Sequence, residues 1–525
     1  MTRVIETDIC IIGGGICAAM VAERIAPSSA RILLVEAGNP IFNFSSRLEE
    51  RRRYLDYGYN PWPQDHVEGM SAQGIQSRTM AVGGMALHWG GACPRFTAED
   101  FRLKSLYGIG QDWPISYDDL EPFYQEAEER IGVAGEAGPP SLDVRSKPYP
   151  MPPVPLSYNQ QLLREWGQKS GIPWWGNPVA RNSVPYRGRN VCARCDTCLI
   201  CPTGAKYSPD FTFQELLSSK RIELLPRTVV RRLAPRQGRD EIERAEALER
   251  DRPEDPVHIR ARYFVLAAGY VWSSHLLLLS RSSRSPRGLA NRSGLVGKYL
   301  TGHRPFSAYA QVPMKLYPGI YDQNSLLSKQ FQRPGQLQHY IRHDLRIWES
   351  TLGREPRLRG SNQQLLLGDA VLEDWRSRLE VGSARLRAYY DVIPDRESSV
   401  SLDSQNQTPW GDPLPKIEFR DSAASIELRP RTEESILQVF QRIVRAGGGK
   451  ILSSGVQDVY DHPGGGCRMG TSPESSVVDS FGRTHDHENL FVVGAPTLVS
   501  GGCANGTLTF AALALRSAAK ISQEL

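Results

Sequence analysis

The chain has 525 residues, 40% of them hydrophobic, enough for two or more domains with cores of their own. Its formal net charge is only +5 and no basic run is interleaved with aromatics, so composition gives no case for nucleic-acid binding. Mean hydropathy is −0.40 and no apolar run reaches the roughly 18 residues of a transmembrane helix, so no membrane span is expected.

The opening MTRVIETDICIIGGG enters a strand within a few residues and lacks the basic n-region, apolar h-region and cleavage site of a signal peptide. Thr7–Ile12 predicts that strand. Gly13-Gly14-Gly15-Ile16-Cys17-Ala18 follows, a G-x-G-x-x-A turn with Gly13, Gly15 and Ala18 at its key positions, and Ala18–Ile25 predicts a helix. A second strand, Arg31–Val35, ends at Glu36, 21 residues after Gly15. Small residues let the backbone and helix N-terminus approach a pyrophosphate, and the acid can accept ribose hydroxyls. The order of strand, glycine turn, helix, strand and acid marks a dinucleotide-binding unit without separating FAD from NAD.

Pro148–Pro155 is proline-rich and predicts an extended connector. Cys192, Cys195, Cys198 and Cys201 then fall at every third position, with Pro202 next. Such a ladder suits an iron–sulfur cluster. Thiolates also suit zinc, and a disulfide beside two spare thiols is a third reading. The other cysteines, Cys10, Cys17, Cys93, Cys467 and Cys503, read as small buried residues. Gly238–Asp255 is charged and predicts a surface hairpin. His303, His339 and His343 carry no motif and are expected at the surface or lining a pocket. His485 and His487 flank Asp486 in what reads as a solvated turn rather than a metal site, and Leu508–Ile521 predicts a closing helix.

Two C-terminal segments carry the most chemistry: Asp461–Gly470 (DHPGGGCRMG) and Asn489–Thr509. Here the sequence resembles the glucose–methanol–choline (GMC) family of FAD oxidoreductases. In that family a His precedes a Gly-Thr-Cys-Arg-Met-Gly-like segment, and a second His or Asn follows a Val-Val strand. The matching positions are His462 and Asn505, 43 residues apart. Gly466 departs from the usual Thr, and Gly506 from the Pro that commonly follows the Asn. Residues 83–96 (GGMALHWGGACPRF) resemble the family's flavin-contact segment, and Val265–Gly269 its later FAD-contacting turn. Leu103–Gly132 resembles the membrane-linked bacterial sugar and polyol dehydrogenases, and Asp391–Pro413 the second half of a substrate domain.

The resemblance implies an α/β fold with a discontinuous Rossmann-like FAD domain over 1–135, 190–302 and 456–525. It implies an excursion over 136–189 near the site mouth, and a substrate domain over 303–455 with a mainly antiparallel sheet and helices across one side. Implied FAD contacts are Gly13, Gly15, Ala18, Glu36, Gly83, Gly84, His88, Val229, Ala268, Gly494, Ala495 and Thr507. In pyranose oxidases and some sugar dehydrogenases of the family a His at the position of His88 is joined covalently to the flavin, and the alternative for His88 is a hydrogen bond near a non-covalent flavin. His462 is implied as the base, because neutral imidazole can take a hydroxyl proton near pH 7, and Asn505 as the donor to the developing alkoxide. Flavin takes the hydride. The sugar dehydrogenase subgroup also carries a cysteine loop ending Cys-Pro-x-Gly-Ala, here Cys201–Ala205. It implies an iron–sulfur cluster, [3Fe–4S] on three of the four cysteines in preference to [4Fe–4S] on all four.

The implied function is oxidation of a hydroxyl of a sugar, glycoside, polyol or sugar acid. Electrons would leave through the cluster to a cytochrome c-type or quinone-linked acceptor. The rivals are a pyranose-type oxidase using O₂, a dehydrogenase of a hydrophobic alcohol or steroid, and a non-catalytic flavin–cluster electron carrier. Similar flavoproteins are exported folded on a small subunit that carries the signal, which implies a periplasmic location. A cytoplasmic protein would share the same N-terminus.

Overall fold

The computed structural model describes residues 2–40, 44–57, 79–195, 197–317, 324–333, 342–350, 356–360 and 363–525, so His339 lies outside the described residues. Two sheets organise them. In the first, Glu223–Leu225, Ile32–Val35, Arg3–Ile12, Arg252–Leu266 and Leu490–Val492 run parallel. Ile242–Glu249 and Thr228–Pro235 extend it as an antiparallel meander, and the turn from Ile242–Glu249 into Arg252–Leu266 is the hairpin expected over 238–255. Ile9–Ile11, Leu34, Phe264–Leu266 and Phe491 are fully buried, as in a parallel sheet covered on both faces. The helices Ile16–Ile25 and Thr507–Glu524 pack together on this core. The first strand starts at Arg3 rather than Thr7, because Arg3–Glu6 pair with Val257–Arg260 of the neighbouring strand. That pairing is invisible to local alternation.

The second sheet is antiparallel. Its order is Pro413–Glu418, Ser399–Gln407, Lys298–Val312, Gly382–Asp391, Leu345–Ser350, Leu326–Ser328 and Trp175–Gly176. Lys450–Val456 and Asp461–Gly466 also pair with Lys298–Val312. Alternation splits its residues between two faces. Phe306, Ala308, Ala310, Leu345, Ile347, Ala384, Leu386 and Ala388 pack against Ile436, Phe440 and Ile443 of the helix Ala423–Ala446, and against Trp166. The opposite face carries His303, Ser307, Arg346, Trp348, Arg385, Arg387 and Tyr389.

The two layers meet where Asp461–Gly466 lies against Lys298–Gly302. Gly465 has φ +85, and a Cβ there would stand 2.3 Å from the Tyr299 carbonyl oxygen. Gly466 has φ +93, and its Cβ would meet Ser274 Oγ at 2.5 Å. A threonine at 466 would be strained and would collide, which accounts for the departure seen in the sequence.

Candidate active site

The nucleotide cradle is built from five turns. Gly13 takes φ +100, with its Cβ position 2.8 Å from the Ala267 carbonyl, so only glycine lets the first turn lie against Ala267–Ala268. Nothing lies within 4 Å of a Cβ built on Gly15, which leaves space over the start of the first helix. Ala18 is fully buried and holds that helix close to the sheet. The Gly83 N–H donates to the Gly14 carbonyl at 2.7 Å, and Gly84 sits over the Gly15 Cα, so the turn at 83–84 forms one wall. Gly494 has φ +80, and Cys17 Sγ would be 2.3 Å from a Cβ there. Ala495 and Thr507 follow at the half-buried edge beyond it.

Glu36 closes the far end. Its carboxylate accepts from the N–H groups of Gly14 and Gly38, each at 2.7 Å. Burial pushes it up to about 6, against those two donors. Val229 is buried one residue beyond Thr228, whose N–H donates to the Glu36 carbonyl. A buried carboxylate, an open glycine turn and a helix N-terminus form a donor set that fits a dinucleotide. His88 is half-buried at the end of the 84–87 turn, its Nε2 2.9 Å from Thr79 Oγ1.

The catalytic candidates come together at the seam between the sheets. His462 lies on the strand Asp461–Gly466 with φ +50, a conformation non-glycine residues adopt rarely and mostly at functional sites. Asn505 sits just before the closing helix, and its Nδ2 is 2.8 Å from His462 Nε2. His303, across the register from Asp461, places its Nε2 2.8 Å from His462 Nδ1. With the Asn505 amide donating to Nε2, the His462 proton sits on Nδ1 and is donated to His303. The Nε2 lone pair is thereby the basic one. Burial lowers the His462 pKa, as do the guanidinium groups of Arg346 and Arg387, while Asp461 opposes them. Burial drives His303 further down, helped by His462 and Arg346. Both imidazoles are therefore neutral near pH 7.

Sequence reading missed His303 as a partner of His462, and it missed Tyr389. The Tyr389 ring stands 4.4 Å from the His303 ring and 5.7 Å from the His462 ring, centroid to centroid. The alternation in Arg385-Leu386-Arg387-Ala388-Tyr389 was the available signal for a polar strand face. His343 is fully buried, stacked on Phe331 at 5.0 Å, and is neither a surface nor a site residue. His485 and Asp486 lie in a turn as expected, but His487 is buried rather than solvated.

The four cysteines converge on a second pocket, lined also by Arg181, Thr197, Thr203 and Lys206. All nine cysteines are free thiols, so the ladder forms no disulfide. Among the described residues no three of its sulfurs lie within 4.8 Å of one another. Cys198 and Cys201 are buried, Cys192 is half-buried and Cys195 is exposed. Arg181 donates to Cys192 Sγ at 3.9 Å, and the Lys206 N–H to Cys201 Sγ at 3.4 Å. Although burial opposes it, donation from the Lys206 N–H and Thr203 lowers the Cys201 pKa, whereas burial pushes Cys198 up to about 11. The buried Lys206 Nζ donates to the carbonyls of Leu87, Trp89 and Cys198 at 3.0, 2.9 and 2.6 Å. One ammonium thus ties the segment around His88 to the cysteine loop. The soft donor set with surrounding cations fits an anionic iron–sulfur cluster.

A third cluster, Asp100, Asp391 and Cys503, has metal-like spacing. Arg342 pairs with both carboxylates there, at 2.7 and 4.0 Å, and supplies the positive charge itself.

Comparison with known proteins points to one family over the C-terminal part of the chain. The GMC oxidoreductase family model matches residues 394–514. The fructose dehydrogenase large subunit of Gluconobacter japonicus is 29% identical, over 99% of this chain and 98% of its own. The 6'''-hydroxyparomomycin C oxidase of Streptomyces lividus is also 29% identical, over 99% and 92%. In fold, pyridoxine 4-oxidase from Mesorbium loti superposes with a TM-score of 0.63 at 18% identity, covering 98% of this chain and 99% of that one. Residues 394–514 carry the GMC oxidoreductase domain, and over its full length the chain is similar to these oxidoreductases.

Proposed function

We propose that the chain is an FAD-dependent dehydrogenase that oxidises a hydroxyl group of a sugar-like substrate and passes the electrons out through an iron–sulfur cluster. The observation that carries the first half is the 2.8 Å contact between His462 Nε2 and Asn505 Nδ2. A substrate hydroxyl entering between them replaces that one bond with two: it donates to His462 Nε2 and accepts from Asn505 Nδ2. As the carbon-bound hydrogen leaves, the hydroxyl proton moves to Nε2. The resulting imidazolium keeps its Nδ1–H on His303, a neutral acceptor that does not compete for the new proton. Asn505 supports the negative charge growing on oxygen. Gly13, Gly15, Glu36, Gly83, Gly84 and Gly494 would hold FAD. When bound, the flavin would supply the hydride acceptor, and His88 would be its point of covalent attachment. Full-length similarity to the fructose dehydrogenase large subunit supports the substrate class.

The cysteine pocket supports the second half. One side is tied by Lys206 to Leu87 and Trp89, and the other reaches the surface at Cys195. That arrangement suits single electrons leaving for a cytochrome-type partner, and it is redundant in an enzyme reoxidised by O₂. No helix among the described residues is long and apolar enough to cross a membrane. The test is anaerobic purification with assay of FAD, iron and acid-labile sulfide, then titration with sugars and polyols. Bleaching of the flavin with about three or four irons per chain supports the reading. Full zinc without sulfide removes the cluster, and no bleaching by any sugar or polyol removes the substrate class. After acid precipitation the yellow colour should stay with the protein, and its complete release would remove the link to His88.

A further inference from the structure

We infer that the substrate is an anionic sugar derivative, with a carboxylate or phosphate held by Arg387 and Arg346 while its hydroxyl meets His462 and Asn505. This inference rests on the proposed function and narrows it. Arg346 and Arg387 stand directly opposite each other on adjacent strands. Like charges at such positions destabilise a sheet. Asp344 neutralises Arg346 through Nε at 2.7 Å, but the buried Nη2 of Arg346 has no hydrogen-bond partner among the described residues. Arg346 is only 2% exposed, and a buried donor without a partner is costly.

Arg387 has no carboxylate partner among the described residues. Its guanidinium rests on neutral acceptors: Tyr389 Oη at 2.8 Å, Gln457 Oε1 at 3.1 Å and Ser307 Oγ at 3.4 Å. Arg385, one row further along, adds a third guanidinium on the same face. Trp348 lies between the Arg385 and Arg387 guanidinium groups, 6.0 and 5.5 Å from them. Tyr389 links the patch to the reaction point, with its hydroxyl on Arg387 and its ring edge-on to His462. Asp461 is the flanking carboxylate nearest the reaction point, and it is set beside His462 rather than on either arginine. Guanidinium forks match carboxylate and phosphate oxygens in pairs, and an aromatic face between them suits the C–H side of a carbohydrate.

The test uses the full-length holoprotein and anaerobic single-turnover flavin bleaching. The probes are D-gluconate, D-glucose 6-phosphate and the neutral D-glucitol. At least one anion should exceed glucitol in apparent second-order rate by about tenfold or more, with the advantage shrinking as salt rises. The two anions separate carboxylate from phosphate recognition. Arg387→Met should cut the anion-to-glucitol ratio by about 10- to 100-fold, the scale of a lost charge-assisted hydrogen bond. Arg387→Lys should restore part of it, which a general packing defect would not do. Equal rates for glucitol and both anions, with a ratio unmoved in Arg387→Met, would overturn the anionic assignment and leave sugar oxidation standing. No bleaching by any of the three, or by other sugars, would sink both.

Discussion

At the residue scale the proposed chemistry rests on the chain of contacts Asn505–His462–His303. Each link is 2.8 Å, and each fixes the tautomer of the next. His462 and Asn505 were legible because they sit inside two recognisable segments. His303 was not, since it owes its place to the pairing of Asp461 with His303 across two strands 158 residues apart. Asn505→Ala removes a donor to a charge that develops only as the proton leaves. Single-turnover reduction should therefore fall by the equivalent of about 1.5–3 kcal/mol, with FAD content retained. A change below twofold would mean that Asn505 does not touch the substrate oxygen.

At the element scale the cysteine loop and the glycine segment at 83–89 are tied together by Lys206. Spacing revealed the four cysteines, but nothing in CPTGAK announces that the lysine reaches back over a hundred residues to Leu87 and Trp89. Burial lowers the Lys206 pKa to about 8, and the neighbouring Cys198 and Cys201 resist that fall. In the proposed cluster those cysteines would be ligating thiolates, and their charge would hold the ammonium more firmly. Lys206→Met should slow reduction of an external one-electron acceptor about tenfold or more, while bleaching of the flavin by substrate changes less. The two rates can be read in one stopped-flow instrument. Equal losses in both would make Lys206 a packing residue for the active site instead of a link between the two centres. The strand limits were less legible than the motifs. Arg3–Glu6 and Lys298–Val312 are strands because of partners distant in sequence, and alternation within a short window cannot show this.

At the scale of the whole molecule, buried histidines make the fold sensitive to acid. His343 is held at about 4 by burial, against an ordinary value of 6.5, and burial also lowers His275, His303 and His462. A depressed folded-state pKa means the unfolded chain binds the proton first. The stability these groups provide is complete above about pH 6.5 and is lost as pH falls toward 4. His343 alone accounts for about 3 kcal/mol of that loss. Urea midpoints between pH 7 and pH 4 should fall steeply in the wild type and less so in His343→Phe, and parallel curves would contradict the assignment. The overall α/β layout was legible from one glycine turn and two C-terminal segments. The face that selects the substrate was not, because its arginines belong to strands that become neighbours only on folding. The central claim is that His462 takes the substrate proton. It is tested most directly by anaerobic single-turnover flavin reduction across pH in the wild type and in His462→Ala. The wild-type rate should rise with pH through an apparent pKa below 6.5, the direction set by burial and the two arginines. His462→Ala, still loaded with FAD, should lose about 10²–10⁴-fold and with it that pH dependence. An unchanged rate in His462→Ala, or the same pH profile in both proteins, would contradict the account.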